Sequence, residues 1–164
     1  MTRVGLISDT HGFLDDAVFA HFKDCDEVWH AGDFGSLDLV KSLRDFKLLR
    51  GVYGNIDGTE IRAEFPEVLN FECERVKVIM KHIGGYPGRY APSVKQELLE
   101  QRPQLFISGH SHILKIIFDE KIHCLHMNPG AAGKQGWHKV RTLIRFEVNG
   151  DKMQNCEVIE LGKK

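Results

Sequence analysis

Hydrophobic residues in the first third of the chain fall into short continuous runs separated by amphipathic stretches. Arg3 to Ser8 is one such run, the pattern of a parallel strand covered on both faces. Leu14, Val18 and Phe22 then recur at helical spacing with Ala17 alongside, predicting a helix whose positive end is favoured by Asp15 and Asp16. Glu27 to Ala31 predicts a second strand, and Ser36 can cap a second helix with Leu39, Val40 and Leu43 on its face. Lys47 to Arg50 reads as a third strand. Strand, helix, strand, helix, strand is the order of a parallel α/β sheet.

The second half is built differently. Phe65 to Val68 reads as a connection and 69–74 as a weak strand, followed by a better one over Val76 to Met80 that leads to His82. The Gly- and Pro-rich stretch 84–92 predicts a loop at the rim of the strand ends. Ser93 and Gln96 have the spacing of a capping box for a helix that must stop near Arg102, before Pro103. Leu105 to Ser108 is a further buried strand, and 113–118 with 121–127 reads as a hairpin turning at Asp119-Glu120. Val140 to Val148 alternates with period two and meets Asn149-Gly150, a hairpin signal, before a last strand near 152–160.

At 164 residues the chain is expected to be one domain, 1–164, with a substantial core. Its net charge of −1 gives no electrostatic case for nucleic acid or an anionic membrane, and no apolar run approaches the length of a membrane helix. The apolar stretch at the start is too short for a signal-peptide core. Cys25, Cys73, Cys124 and Cys156 form no C-x-x-C pair and read as reduced thiols, so the expected location is the cytoplasm. A homo-oligomer is left open.

Chemistry-bearing residues gather at the ends of the apolar runs, where ligands bind in α/β sheets. They are Asp9-Thr10-His11, Gly32-Asp33, Gly54-Asn55, His82 and Gly109-His110-Ser111-His112. The two imidazoles of the last motif cannot both enter a hydrophobic layer, but at the mouth of a strand both can reach a metal beyond it. The set Asp9, His11, Asp33, Asn55, His82, His110 and His112 contains no thiolate, which argues against a cysteine-type zinc site. Oxygen donors with imidazoles suit manganese, iron, cobalt, nickel or zinc. Seven ligands exceed what one ion with an open position needs and fit two ions sharing a carboxylate. Two ions roughly 3.5–4 Å apart can hold a hydroxide between them and grip a phosphate ester for in-line attack. The expected cofactor is therefore two divalent ions per chain, manganese first.

The ordered motifs D-x-H, G-D, G-N, H and G-H-x-H, spanning Arg3 to Gly130, resemble those of the calcineurin-like metallophosphoesterases. The short length is similar to the small YfcE-like phosphodiesterase branch. The resemblance implies an α/β fold in which two mixed sheets pack as a sandwich flanked by helices, a four-layer αββα arrangement. It also implies that Asp9, His11, Asp33 and His112 hold one ion and that Asp33, Asn55, His82 and His110 hold the other, with Asp33 bridging. The implied activity is hydrolysis of small phosphodiesters by a metal-bridging hydroxide, with Asn55 also meeting substrate. Three positions depart from the family pattern. Ile56 stands where many members carry a leaving-group histidine, His82-Ile83-Gly84 replaces H-G-H, and Asn128-Pro129-Gly130-Ala131 replaces N-P-G-S.

Each motif alone has an ordinary reading as a turn, a helix cap or a core histidine; their order and shared strand-end position favour a common site. His30, inside a strand, reads as a buried histidine near the site, and His123 and His126 have opposite strand parity, against a shared role. His138 and Arg89 are candidates for substrate contact, although a solvated loop arginine is the plainer reading. The alternatives to a phosphodiesterase are a phosphatase or nuclease on the same scaffold, and a protein-binding scaffold like the retromer subunit of this fold. The latter would be favoured by a missing ligand, and none of the seven is missing.

Overall fold

The computed structural model describes residues 1–164. The three N-terminal strands form as read: β1 (Thr2–Ile7), β2 (Glu27–His30) and β3 (Leu48–Gly51) run parallel. They share a sheet with the C-terminal hairpin of β11 (Val140–Asn149) and β12 (Lys152–Lys163), in the order β12-β11-β1-β2-β3. β11 lies antiparallel to β1, so the chain's last strands close the edge beside its first.

The second sheet has the order β4-β5-β8-β10-β9. β4 (Val68–Cys73) runs antiparallel to β5 (Val76–Lys81), whereas β5, β8 (Leu105–Ile107) and β10 (Cys124–Asn128) are parallel. β9 (Lys115–Asp119) closes the other edge antiparallel to β10. A small hairpin, β6 (Gly85–Tyr86) and β7 (Arg89–Tyr90), occupies the stretch expected to be a loop.

Strand alternation sorts the side chains into layers. Val4, Leu6 and Trp29 of the first sheet meet Val78, Met80, Leu105 and Ile107 of the second in a buried core between them. The outer face of the first sheet packs under α1 (Ala17–His21), α2 (Leu37–Phe46) and α3 (Thr59–Glu64) through Phe22, Val40, Leu43 and Ile61. Gly5 is small because the Phe22 ring lies where its Cβ would be. The outer face of the second sheet carries α4 (Val94–Gln101) through Val94, Leu98 and Phe106. This is the two-sheet sandwich flanked by helices. No helix is long and apolar enough to cross a membrane.

The local expectations are corrected in three places. α1 is five residues long and Leu14 precedes it, because Asp15 accepts from the Ala17 N–H and starts the helix late. Ser36 does cap α2, accepting from the Leu39 N–H at 3.2 Å, but Ser93 does not cap α4. Ser93 is left-handed, with φ 70°; the Val94 N–H bonds the Ala91 carbonyl and Gln96 bonds Glu100, so no capping box forms. The β9–β10 hairpin pairs Asp119 with Cys124, so its turn spans 120–123, longer than Asp119-Glu120.

Candidate metal centre

The carboxyl ends of β1, β2, β5 and β8, together with the loop after β3, converge, and backbone hydrogen bonds stitch the segments beyond them. The Asp9 N–H bonds Gly32 O at 3.0 Å, His11 N–H bonds Asp33 O at 3.0 Å, and Gly109 N–H bonds His82 O at 3.0 Å. Asp9, His11, Asp33, His110 and His112 all take left-handed backbone conformations, with φ from 46° to 69°. Asp and His tolerate that region better than bulky residues, yet each costs about 1–2 kcal/mol. Here the strained turns aim five side chains at one place, as expected where strain serves a site.

Two clusters result, Asp9 with His11 and His112, and Asp33 with His82 and His110. Asp33 Oδ2 is the common wall: it lies 3.4 Å from His11 Nε2 and 3.1 Å from His82 Nε2. Asp9 Oδ1 lies 3.2 Å from His112 Nε2, 3.8 Å from His82 Nε2 and 3.9 Å from His11 Nε2. Asn55 Oδ1 faces His82 Nε2 at 3.1 Å and His110 Nδ1 at 3.0 Å. All seven sequence candidates are thus brought together.

The donor set fits divalent ions. Asp9 Oδ1 and His11 Nε2 are buried without any hydrogen-bond partner, an arrangement costly in a polar site unless something sits between them. Two ligand atoms about 2.1 Å from one tetrahedral ion stand about 3.4 Å apart, in the range these atoms show. Burial alone would raise the Asp9 carboxyl, but the imidazoles of His11, His112 and His82 outweigh it and hold it well below the usual carboxylate range. Burial likewise opposes ionisation of Asp33, and His82 outweighs it. His11 is raised chiefly by Asp9; His82 is raised because Asp33 and Asp9 overcome its burial. Burial and the neighbouring His82 depress His110.

A surrounding shell fixes these ligands. The His82 ring bonds Ala31 O through Nδ1 at 2.7 Å, which leaves its Nε2 lone pair for the cluster. Ser8 donates to Asp9 Oδ2 at 2.7 Å, and the same oxygen accepts the His110 N–H at 3.1 Å. Asn128 donates to Gly109 O and Ser111 Oγ, bracing the turn that carries His110 and His112. A Cβ at Gly54 would run into Asp33 Oδ1, so only glycine lets that loop approach. Sequence reasoning missed Asp57. Its buried carboxylate accepts from the N–H groups of Asp33, Phe34, Gly35 and Gly54, tying two ligand loops together. Its only sequence signal was an aspartate before Gly58, which reads as an ordinary turn.

The remaining candidates separate. His30 is fully buried, stacks on Phe34 at 3.7 Å and meets Thr10 Oγ1 at 3.0 Å, the core histidine expected. His138 lies with its ring 5.1 Å from that of His112 and bonds Gly133 O, so it borders the centre. Arg89 lines an outer groove with Lys95 and Phe118 and is not brought to the cluster. Ile56 stands at the rim, its N–H donating to Asp33 Oδ1 at 3.0 Å while its side chain is exposed.

Residues 2–151 match the model of the calcineurin-like phosphoesterase superfamily domain, and the chain belongs to that superfamily. A probable metallophosphoesterase of Methanothermobacter thermautotrophicus is 29% identical over 97% of this chain and 92% of its own length. A solved archaeal phosphodiesterase shares the fold with a TM-score of 0.77, at 21% identity, over 97% of this chain and 99% of that one. Vps29 from Entamoeba histolytica, solved in complex with zinc, shares it with a TM-score of 0.74 at 16% identity, over 96% and 98% of the two chains.

Proposed function

We propose that this calcineurin-like phosphoesterase is a two-metal phosphodiesterase acting on small diesters. The observation that carries the reading is the position of Asp33 between the two clusters, within 3.4 Å of an imidazole of each. Asp9, His11, Asp33 and His112 would hold one ion and Asp33, Asn55, His82 and His110 the other. When bound, two such ions would supply the Lewis acidity that lowers the pKa of water and offsets charge on the phosphate. The chain's own part is to keep Asp9 and Asp33 ionised, to aim imidazole nitrogens at the cluster through bonds such as His82 Nδ1 to Ala31 O, and to orient Asn55 toward the phosphate. Ile56 offers no proton to a leaving group, which favours esters of acidic alcohols.

The net charge of −1 gives no electrostatic case for nucleic acid, which supports small substrates. The four unpaired cysteines suit a reducing compartment, and we place the protein in the cytoplasm as a single-domain enzyme. A protein-binding scaffold role on this fold is the weaker reading, since both ligand clusters are complete.

The test is a matrix of metals against substrates. The chelated protein is reloaded with manganese, nickel, iron, cobalt or zinc and assayed against aryl and alkyl diesters and monoesters. Hydrolysis of diesters dependent on added metal, with up to two ions bound per chain, is the expected result. Binding that saturates at one ion, or monoesters cleaved faster than matched diesters, would overturn it.

A further inference from the structure

The free sheet edges face solvent differently. β12 presents Lys152, Gln154, Asn155, Glu157 and Glu160 around a single exposed large apolar side chain, Val158. β3 is four residues long and exposes one large apolar side chain, Leu48, with Arg50 bonded to Glu27. On β4, Phe71 is covered by Trp29 and by the Arg50 guanidinium. β9 is the exception. Ile116, Ile117 and Phe118 are 39%, 38% and 53% exposed, and Ile113 just before the strand is 56% exposed. Its one ladder is with β10, so the backbone groups on its other side have no strand partner. Edge strands of native proteins are usually blunted by charge, proline or a bulge, and β9 carries charge only at its two ends.

We infer that β9 pairs antiparallel with β9 of a second copy of this chain, joining the two second sheets across a two-fold axis at Ile117. The sequence of the strand, Lys115-Ile116-Ile117-Phe118-Asp119, is self-complementary in that register. Lys115 then stands opposite the partner's Asp119, Ile116 opposite the partner's Phe118, and Ile117 opposite itself. A shift of one residue either way would set a charge against Ile or Phe, so the match selects one register. An isologous contact of this kind closes after two copies and leaves no edge to propagate.

The small hairpin prepares both charges. Lys115 Nζ lies over the Tyr86 ring at 4.1 Å, and Asp119 accepts from the Tyr90 hydroxyl at 2.6 Å. Lys115, Ile117 and Asp119 share one face of the strand, so both ion pairs form on that face. Antiparallel pairing also brings the partner's turn 120–123 alongside Ile113, the residue after His112. Dimerisation would therefore border the metal centre with a second chain.

The test is hydrodynamic and uses charge reversal. Sedimentation of the wild-type chain across micromolar concentrations should show a monomer–dimer equilibrium. K115D sets acid against acid in its homodimer and D119K sets lysine against lysine, so each alone should weaken dimerisation by at least about tenfold. Mixed together, the two variants regain opposite charges at both ends of the strand and should dimerise with each other. Amide exchange of residues 115–119 in the wild type should slow as concentration rises, a readout that does not depend on any variant folding. A wild type that stays monomeric, a dimer indifferent to both variants, a mixture that fails to associate, or concentration-independent exchange in β9 would each overturn the proposal, as would a dimer mapped to another edge.

Discussion

The carboxylate of Asp57 accepts the backbone N–H of Asp33 at 3.0 Å and, from the other side, that of Gly54 at 2.8 Å. One buried side chain thus holds together the loops that deliver Asp33 and Asn55. Asp57→Ala would leave four N–H groups of these loops without their acceptor. Each buried donor left unpaired costs about 1–3 kcal/mol, so urea denaturation should show a loss of at least about 3 kcal/mol. Metal affinity, read by calorimetry, should fall by about 10–100-fold, as for residues that orient ligands. Asp57→Asn keeps an accepting oxygen and should lose less of both. Unchanged affinity in Asp57→Ala would show that the ligand loops are held by the strands alone.

How far the sequence carried this reading depends on the kind of signal. The runs at Arg3, Glu27 and Leu105 were legible because strands buried on both faces need continuous apolar residues, and the ligands follow those runs directly. The partition into two sheets was not legible in the periodicity, since β1 finds its other neighbour in β11, more than a hundred residues on; it came from the family resemblance. α3 escaped because Ile61 is its one buried residue and Gly58 offers no side chain to cap it. Asp57 escaped for a similar reason: its partners are backbone groups of distant loops, which leave no pattern in side-chain types.

Ile56 sets a second expectation. Its N–H is fixed on Asp33 Oδ1 while its side chain is exposed at the rim, so the position is near the reacting centre but carries no proton. Aryl diesters, whose leaving groups need no protonation, should be cleaved much faster than alkyl diesters. Ile56→His should narrow that gap by raising the alkyl rate about 10²-fold, the usual reach of one general acid. Equal aryl and alkyl rates in the wild type, with chemistry rate-limiting, would mean another residue already donates the proton.

His126 makes stability depend on acid. Its ring is buried against Phe106, its Nε2 has no partner, and burial depresses it from 6.5 to about 4. The unfolded chain takes up the proton below pH 6.5 while the folded chain does not until about pH 4. Stability from this group is therefore intact above 6.5 and lost progressively between 6.5 and 4, by on the order of 3 kcal/mol. Denaturation of the chelated protein at several pH values should show the slope, and His126→Leu should flatten it by about that amount. A variant with the wild-type slope would assign the acid sensitivity elsewhere.

Asp33 is the residue on which the two clusters depend together. Its Oδ2 stands near His11 and His82, while Oδ1 is held by the Ile56 N–H. Asp33→Asn preserves the shape and the side-chain oxygen but removes the negative charge, and an amide nitrogen cannot ligate in place of the lost carboxylate oxygen. Two cations brought close together repel, and the bridging carboxylate is what offsets that repulsion in the proposed centre. Bound metal should therefore fall from two ions per chain toward one, by elemental analysis after reloading. Diester turnover should drop by at least about 10³-fold, or about 4 kcal/mol of transition-state stabilisation. The fold should persist, because Asp33 sits beyond the end of β2 and packs in none of the apolar layers. Circular dichroism of the chelated variant should match the chelated wild type. Lys95→Ala, in an outer groove, serves as the control and should keep both metal content and turnover. His138 is unsuitable for that purpose because its ring touches His112. An Asp33→Asn protein that binds two ions and turns over diesters at near the wild-type rate would show that another group joins the clusters.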